Sequence, residues 1–199
     1  FTINGGTATL SSTSPTSISK NSNTYTLGIG ISGLPNGDET LSVNPLDNGI
    51  YDLVGNESIV SQNNNSLKLN DKVLPIISTS SIDASNNFID VTISESVYDN
   101  NGSSPLVSSD FVLVFDRNNG NTSSVSINSV KKNDNPSLGS AGVLSGGETI
   151  IRVFLNITGT PSGVETITVS PADGSSIYDK VGNVMVSSQT TGLKNLKDK

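Results

Sequence analysis

Gly37-Asp-Glu-Thr-Leu-Ser-Val-Asn-Pro45 reappears 126 residues later as Gly163-Val-Glu-Thr-Ile-Thr-Val-Ser-Pro171. Beyond it, Ile50-Tyr-Asp-Leu-Val-Gly-Asn56 reappears 127 residues on as Ile177-Tyr-Asp-Lys-Val-Gly-Asn183. The match runs outward in both directions. Gly33-Leu-Pro-Asn-Gly37 corresponds to Gly159-Thr-Pro-Ser-Gly163, and Leu69-Asn-Asp-Lys72 to Leu196-Lys-Asp-Lys199. Near the start, Thr2-Ile3-Asn4 pairs with Ser126-Ile127-Asn128. Several motifs in one order at one spacing define an internal repeat. The reading divides the 199 residues into 1–70, the later part of one module, and 71–199, a complete module plus the start of the next linker. The first copy then lacks counterparts of Asp71 to Val125. Phe1-Thr2-Ile3 opens inside a strand-like run, so the N-terminus reads as a cut or processing point.

Between the repeated motifs lie short runs with the period of a β-strand. Phe88-Ile-Asp-Val-Thr-Ile93 and Val125-Ser-Ile-Asn-Ser-Val130 alternate, and Asp110-Phe-Val-Leu-Val-Phe115 is β-branched and aromatic. Thr149 to Ile157 is the longest apolar run, with Tyr25 to Ile31 as its earlier partner; Glu165–Val169 and Asn183–Ser187 complete the set. Turn signals at Asn100-Asn-Gly102, Asn119-Gly120, Ser145-Gly-Gly147 and Asp173-Gly174 separate them. No amphipathic helical stretch interrupts the pattern. The expectation is an all-β chain of tandem immunoglobulin-like Greek-key β-sandwich modules, seven or eight strands each, the first incomplete at its N-terminus.

Composition narrows function. The chain has no Cys and no His, which removes disulfides, thiol chemistry, Cys/His zinc sites and histidine triads. Hydrophobic residues make up 33% and aromatics 5%, lean for a catalytic core. A net charge of −7, with 11 basic residues and no basic stripe, argues against a nucleic-acid partner. No apolar stretch approaches the ~20 residues needed to cross a bilayer as a helix, so membrane insertion is not expected.

Ile93-Ser-Glu-Ser-Val97, Ser109-Asp-Phe111, Gly159-Thr-Pro-Ser-Gly163 and Tyr178-Asp-Lys-Val-Gly-Asn183 together resemble the bacterial Ig-like repeats of large cell-surface adhesins. Those modules show a strand ending in Phe-Ser-Glu and close on Asp-x-Ala-Gly-Asn; here Ile93 replaces the Phe, and Val54 or Val181 the Ala. The resemblance implies an extracellular, non-enzymatic structural or adhesive module that projects a binding region from a bacterial cell surface. Its partners would be neighbouring repeats or copies of itself, with a surface receptor or glycan beyond. Two alternatives stand beside it: a subunit of a surface filament assembled by strand complementation, and a carbohydrate-binding accessory module.

The sharpest local motif is Asp52…Gly55-Asn56 with its twin Asp179…Gly182-Asn183. One reading is a turn, in which Asp accepts backbone N–H bonds and Gly takes positive φ. The other is a calcium site. Hard oxygen ligands would come from Asp52, Asn56, Asp179 and Asn183, from Asp71 on the inter-module linker, and from Glu95 and Asp99 at a strand end. Glu39 and Glu165 invite comparison with a glycosidase pair, but a residue repeated in every module is a structural device before it is a catalyst.

Overall fold

The computed structural model describes residues 1–100 and 102–199; Asn101, in the turn expected at Asn100–Gly102, lies outside them. The chain divides into two compact units, Phe1–Val73 and Leu74–Lys199. Among the described residues it is all-β, with several antiparallel sheets and only one turn of 3-10 helix, Ser108–Asp110. No helix among them is long and apolar enough to cross a membrane.

In the first unit the strands are β1 (Thr2–Asn4), β2 (Thr9–Leu10), β3 (Ser17–Asn21), β4 (Thr24–Gly28), β5 (Ile31–Ser32), β6 (Thr40–Ser42) and β7 (Ser66–Lys68). They form a three-stranded sheet, β1-β6-β7, and two small ladders, β2-β5 and β3-β4. The second unit contributes β8 (Ile77–Ile82), β9 (Phe88–Val97), β10 (Phe111–Asp116), β11 (Ser124–Lys132), β12 (Glu148–Thr158), β13 (Thr166–Pro171) and β14 (Lys194–Asn195). Its sheets are four-stranded, β11-β12-β9-β8, and three-stranded, β10-β13-β14.

The second unit packs as a β-sandwich because alternation gives each sheet one apolar face. Ile89, Val91 and Ile93 of β9 point inward together, and β12 sets Ile151 opposite Val91 and Val153 opposite Ile89. Phe111 and Val169 meet them from the other sheet, and Ile177 and Met185 close the same cluster from the long connection to β14. On the outer face of β9, Phe88 and Phe154 meet edge to face at 5.6 Å. Arg152 lies over the Phe88 ring at 3.7 Å and donates two hydrogen bonds to Asp90, at 2.8 and 2.7 Å. A bidentate pair beside an aromatic face satisfies a guanidinium that is almost wholly buried.

Strand registers in the two units correspond. Leu41 pairs with Ile3 and Leu67 as Ile167 pairs with Phe115 and Lys194. Likewise Leu27 faces Ile18 as Val153 faces Val130, and Ser32 faces Thr9 as Thr158 faces Ser124. This corrects the N-terminal pairing expected from sequence. Thr2-Ile3-Asn4 occupies the position of Val114-Phe115-Asp116, against β6 as those residues lie against β13, and not that of Ser126-Ile127-Asn128. A three-residue match in a chain rich in Ser, Thr, Ile and Asn carries little information, whereas a hydrogen-bonded register leaves no freedom. The residues without a counterpart in the first unit are therefore those of β8, β9 and the first part of β10.

Candidate functional site

Both Asp-Gly-Asn motifs fold into the same closed turn. Asp179 Oδ1 accepts hydrogen bonds from Val181 N–H and Asn183 N–H, each at 2.8 Å, while Asn183 Nδ2 donates to Oδ2 at 2.7 Å. Asp52 does the same with Val54 N–H at 2.9 Å, Asn56 N–H at 2.8 Å and Asn56 Nδ2 at 2.8 Å. The backbone closes each loop through Asp52 N–H to Asn56 O and Asp179 N–H to Asn183 O, both at 2.9 Å. Gly55 and Gly182 lie at φ +91° and +93°, a conformation that explains glycine at this position. The Asn56 amide, with the backbone N–H groups of the turn, holds the Asp52 carboxyl below the usual carboxylate range. Five residues thus use one carboxylate as an internal template.

The remaining candidates fall in different places. Glu95 and Asp179, both in the second unit, carry carboxylate oxygens within 4.8 Å of one another. Asp71 belongs to the first unit, where its Oδ1 accepts the Val73 N–H at 2.9 Å. Asp99 is tied by backbone bonds to Ser104 and acts on another acid, Asp110. Burial raises the Asp110 carboxyl; a hydrogen bond from Val107 N–H opposes that, and the charges of Asp99 and Asp173 add to it.

The more elaborate constellation is one in which the sequence alone did not reveal burial. Glu39 and Glu165 sit immediately before β6 and β13 and have no exposed surface. Glu39 Oε1 accepts Thr7 N–H at 2.7 Å and Ala8 N–H at 2.9 Å, while Oε2 accepts Asn36 and Gly37 N–H, each at 3.1 Å. Glu165 accepts Thr122 N–H and Ser162 N–H, both at 2.9 Å, and the Ser162 hydroxyl. Burial pushes both carboxyls up, but the ring of backbone donors outweighs it and holds each at about 2. Gly6 and Gly120 leave the room these side chains need: a Cβ there would stand 2.1 and 2.3 Å from the carboxylate carbons of Glu39 and Glu165. The signal available in sequence was the same Glu at the same repeat position, directly ahead of an alternating strand. Every oxygen of these acids faces backbone donors, so the geometry orders loops and offers no proton to a substrate.

No protein-family model, curated protein or solved structure matches the chain.

Proposed function

We propose that this chain is a non-enzymatic, structural stretch of an extracellular bacterial surface protein, two copies of one immunoglobulin-like module that help project a binding region from the cell. The observation that carries the reading is duplication of the interior. Buried glutamate, Asp-Gly-Asn turn and strand register are each built twice, 126 or 127 residues apart. A spacer is made by repeating a self-contained unit, and its acids serve its own backbone. Strand order supports the Greek-key assignment. Lettered A to G from β8 to β14, the second unit has one sheet ordered A-B-E-D and the other C-F-G, the order of a seven-stranded Ig sandwich.

Calcium remains a proposed cofactor, with Glu95 and Asp179 as the pair that supports it. The test of the surface reading is labelling of intact source cells with antibody against this chain, paired with protease shaving. The expected result is surface label that is lost on shaving; label that appears only after lysis would overturn the assignment.

A further inference from the structure

The first unit contains an open groove of about 650 Å³ lined by Phe1, Ile18, Leu27, Val43, Leu46 and Ile50 among others. By strand register and repeat spacing, Phe1, Ile18, Leu27, Val43 and Ile50 are the counterparts of Leu113, Val130, Val153, Val169 and Ile177. All five of those belong to, or pack against, the main core of the second unit. What that core has and the first unit lacks is the contribution of β8 and β9: Ile77, Ile89, Val91, Ile93 and Val97. The free edge corresponds as well. β12 pairs with β11 on one side and β9 on the other, whereas among the described residues β4 pairs with β3 alone. Tyr25 is consequently 57% exposed, where its counterpart Ile151 is 0%.

We propose that the first unit is an acceptor for a β-hairpin of the β8–β9 pattern supplied by another module, its second strand adding antiparallel to β4 while its alternate apolar side chains fill the groove. The inference rests on the reading that the two units are copies of one module. The register transfers from the second unit: the position of Val91 falls opposite Tyr25, that of Ile89 opposite Leu27 and that of Asp90 opposite Thr26. Main-chain bonds to the open edge and burial of alternate side chains are the two components of strand addition. A second copy is not the donor, because giving up its own β9 would strip Ile89 and Val91, both 0% exposed, from its own core. The groove also differs from the second unit in a way that selects its ligand. Thr26 stands where the second unit has Arg152, so a carboxylate at the Asp90 position gains no ion pair and a neutral residue there is preferred.

The experiment uses the whole 199-residue chain and three synthetic peptides: Ile77–Val97 as it stands, the same peptide with Asp90→Thr, and the same peptide with Val91→Asp. Binding is read by anisotropy of a labelled peptide and by amide hydrogen exchange of the chain. The first two peptides are expected to saturate and to slow exchange of Thr24–Gly28 about tenfold or more. Asp90→Thr should bind about tenfold tighter than the unaltered peptide, and Val91→Asp should not bind. Unchanged exchange at β4 with saturating peptide, protection confined to other strands, or equal binding of Val91→Asp would each overturn the proposal. So would a peptide-free dimer whose β4 is already protected, since a second copy would then cover the groove. The same exchange run separates the underlying reading: if Ile150–Phe154 of β12 is not protected in the free chain, the module correspondence itself fails. If β12 is protected and β4 does not respond, only the acceptor role falls.

Discussion

Replacing Ile177 by alanine, and separately Ile50 by alanine, makes one chemical change at two positions that the repeat sets 127 residues apart. Their surroundings differ: Ile177 is 0% exposed inside the main core, and Ile50 is 56% exposed at the rim of the groove. At Ile177 the substitution removes three carbons from a closed interior, about 2.4 kcal/mol at ~0.8 per buried CH₂, and leaves a cavity. The cavity term brings the expected cost to about 3–4 kcal/mol, within the range for Ile→Ala in cores. At ~4 °C per kcal/mol for a unit of this size, the melting transition of the second unit should fall by about 12–16 °C. At Ile50 more than half of the side chain already meets water and no closed cavity forms, so the loss should be about 1 kcal/mol or less. Two units in one chain need not melt together, so urea titrations followed by amide exchange at Ile167–Val169 and at Thr40–Ser42 would report each separately. Equal losses at the two positions would refute the reasoning, since Ile50 would then have to be covered. A cost below about 1 kcal/mol at Ile177 would refute the core assignment itself.

Three further outcomes follow from the buried acids and the turns. Glu39 and Glu165 are held at about 2 in the fold against an ordinary 4.5, so as the pH falls the unfolded chain takes up protons first. Their contribution is complete above about pH 4.5 and is lost as the pH drops through about 2, and acid titration by circular dichroism should show a shallower decline for the Glu39→Gln, Glu165→Gln double variant. At neutral pH, Glu165→Gln turns an amide N–H toward the Thr122 or Ser162 donor and should cost the second unit about 2–4 kcal/mol in urea denaturation. Gly120→Ala should be at least as damaging by the same measurement, because its Cβ would collide with the Glu165 carboxylate, 2.3 Å away. If calcium joins Glu95 and Asp179, chelation should lower the melting temperature and calcium restore it by about 2.7 kcal/mol at 100-fold excess over Kd; an unchanged melt with no metal by mass spectrometry leaves the turn hydrogen bonds as the whole account.

Repetition was the most legible feature, because two motifs at one spacing need no model of packing. The strands that build the core were legible for a related reason: Phe88–Ile93 and Phe111–Phe115 show alternation or β-branched density. Edge strands were not. β3, β7, β8 and β14 are rich in polar side chains and carry little apolar period, since a strand at a sheet margin packs few of its residues. Asn183–Ser187 illustrates the reverse error. Its apolar residues suggested a strand, yet only Val184 forms an isolated bridge, to Tyr178, because Asn183 N–H is committed to Asp179 and Met185 N–H to Ile177. The Asp-Gly-Asn turns were read correctly as hydrogen-bonded loops from residue type alone. Burial of Glu39 and Glu165 was not, for a carboxylate is placed inside only when several distant backbone donors converge on it, and that convergence is a tertiary fact.

Those glutamates also bear on what happens when such a chain is pulled. The main-chain oxygen of Glu165 accepts Leu196 N–H at 2.9 Å, and Lys199 N–H reaches Pro161 O at 3.0 Å; Glu39 and Pro35 hold Leu69 and Lys72 in the same way, at 3.1 and 2.8 Å. Tension arriving at the C-terminal end of either unit therefore meets a residue whose side chain is moored elsewhere, at Thr122 and Ser162 in one case and at Thr7, Ala8 and Gly37 in the other. The load is divided among segments far apart in sequence before the strand beside it can peel. A tether built from such units would resist stretching at its joints, and it would weaken when acid protonates the moorings.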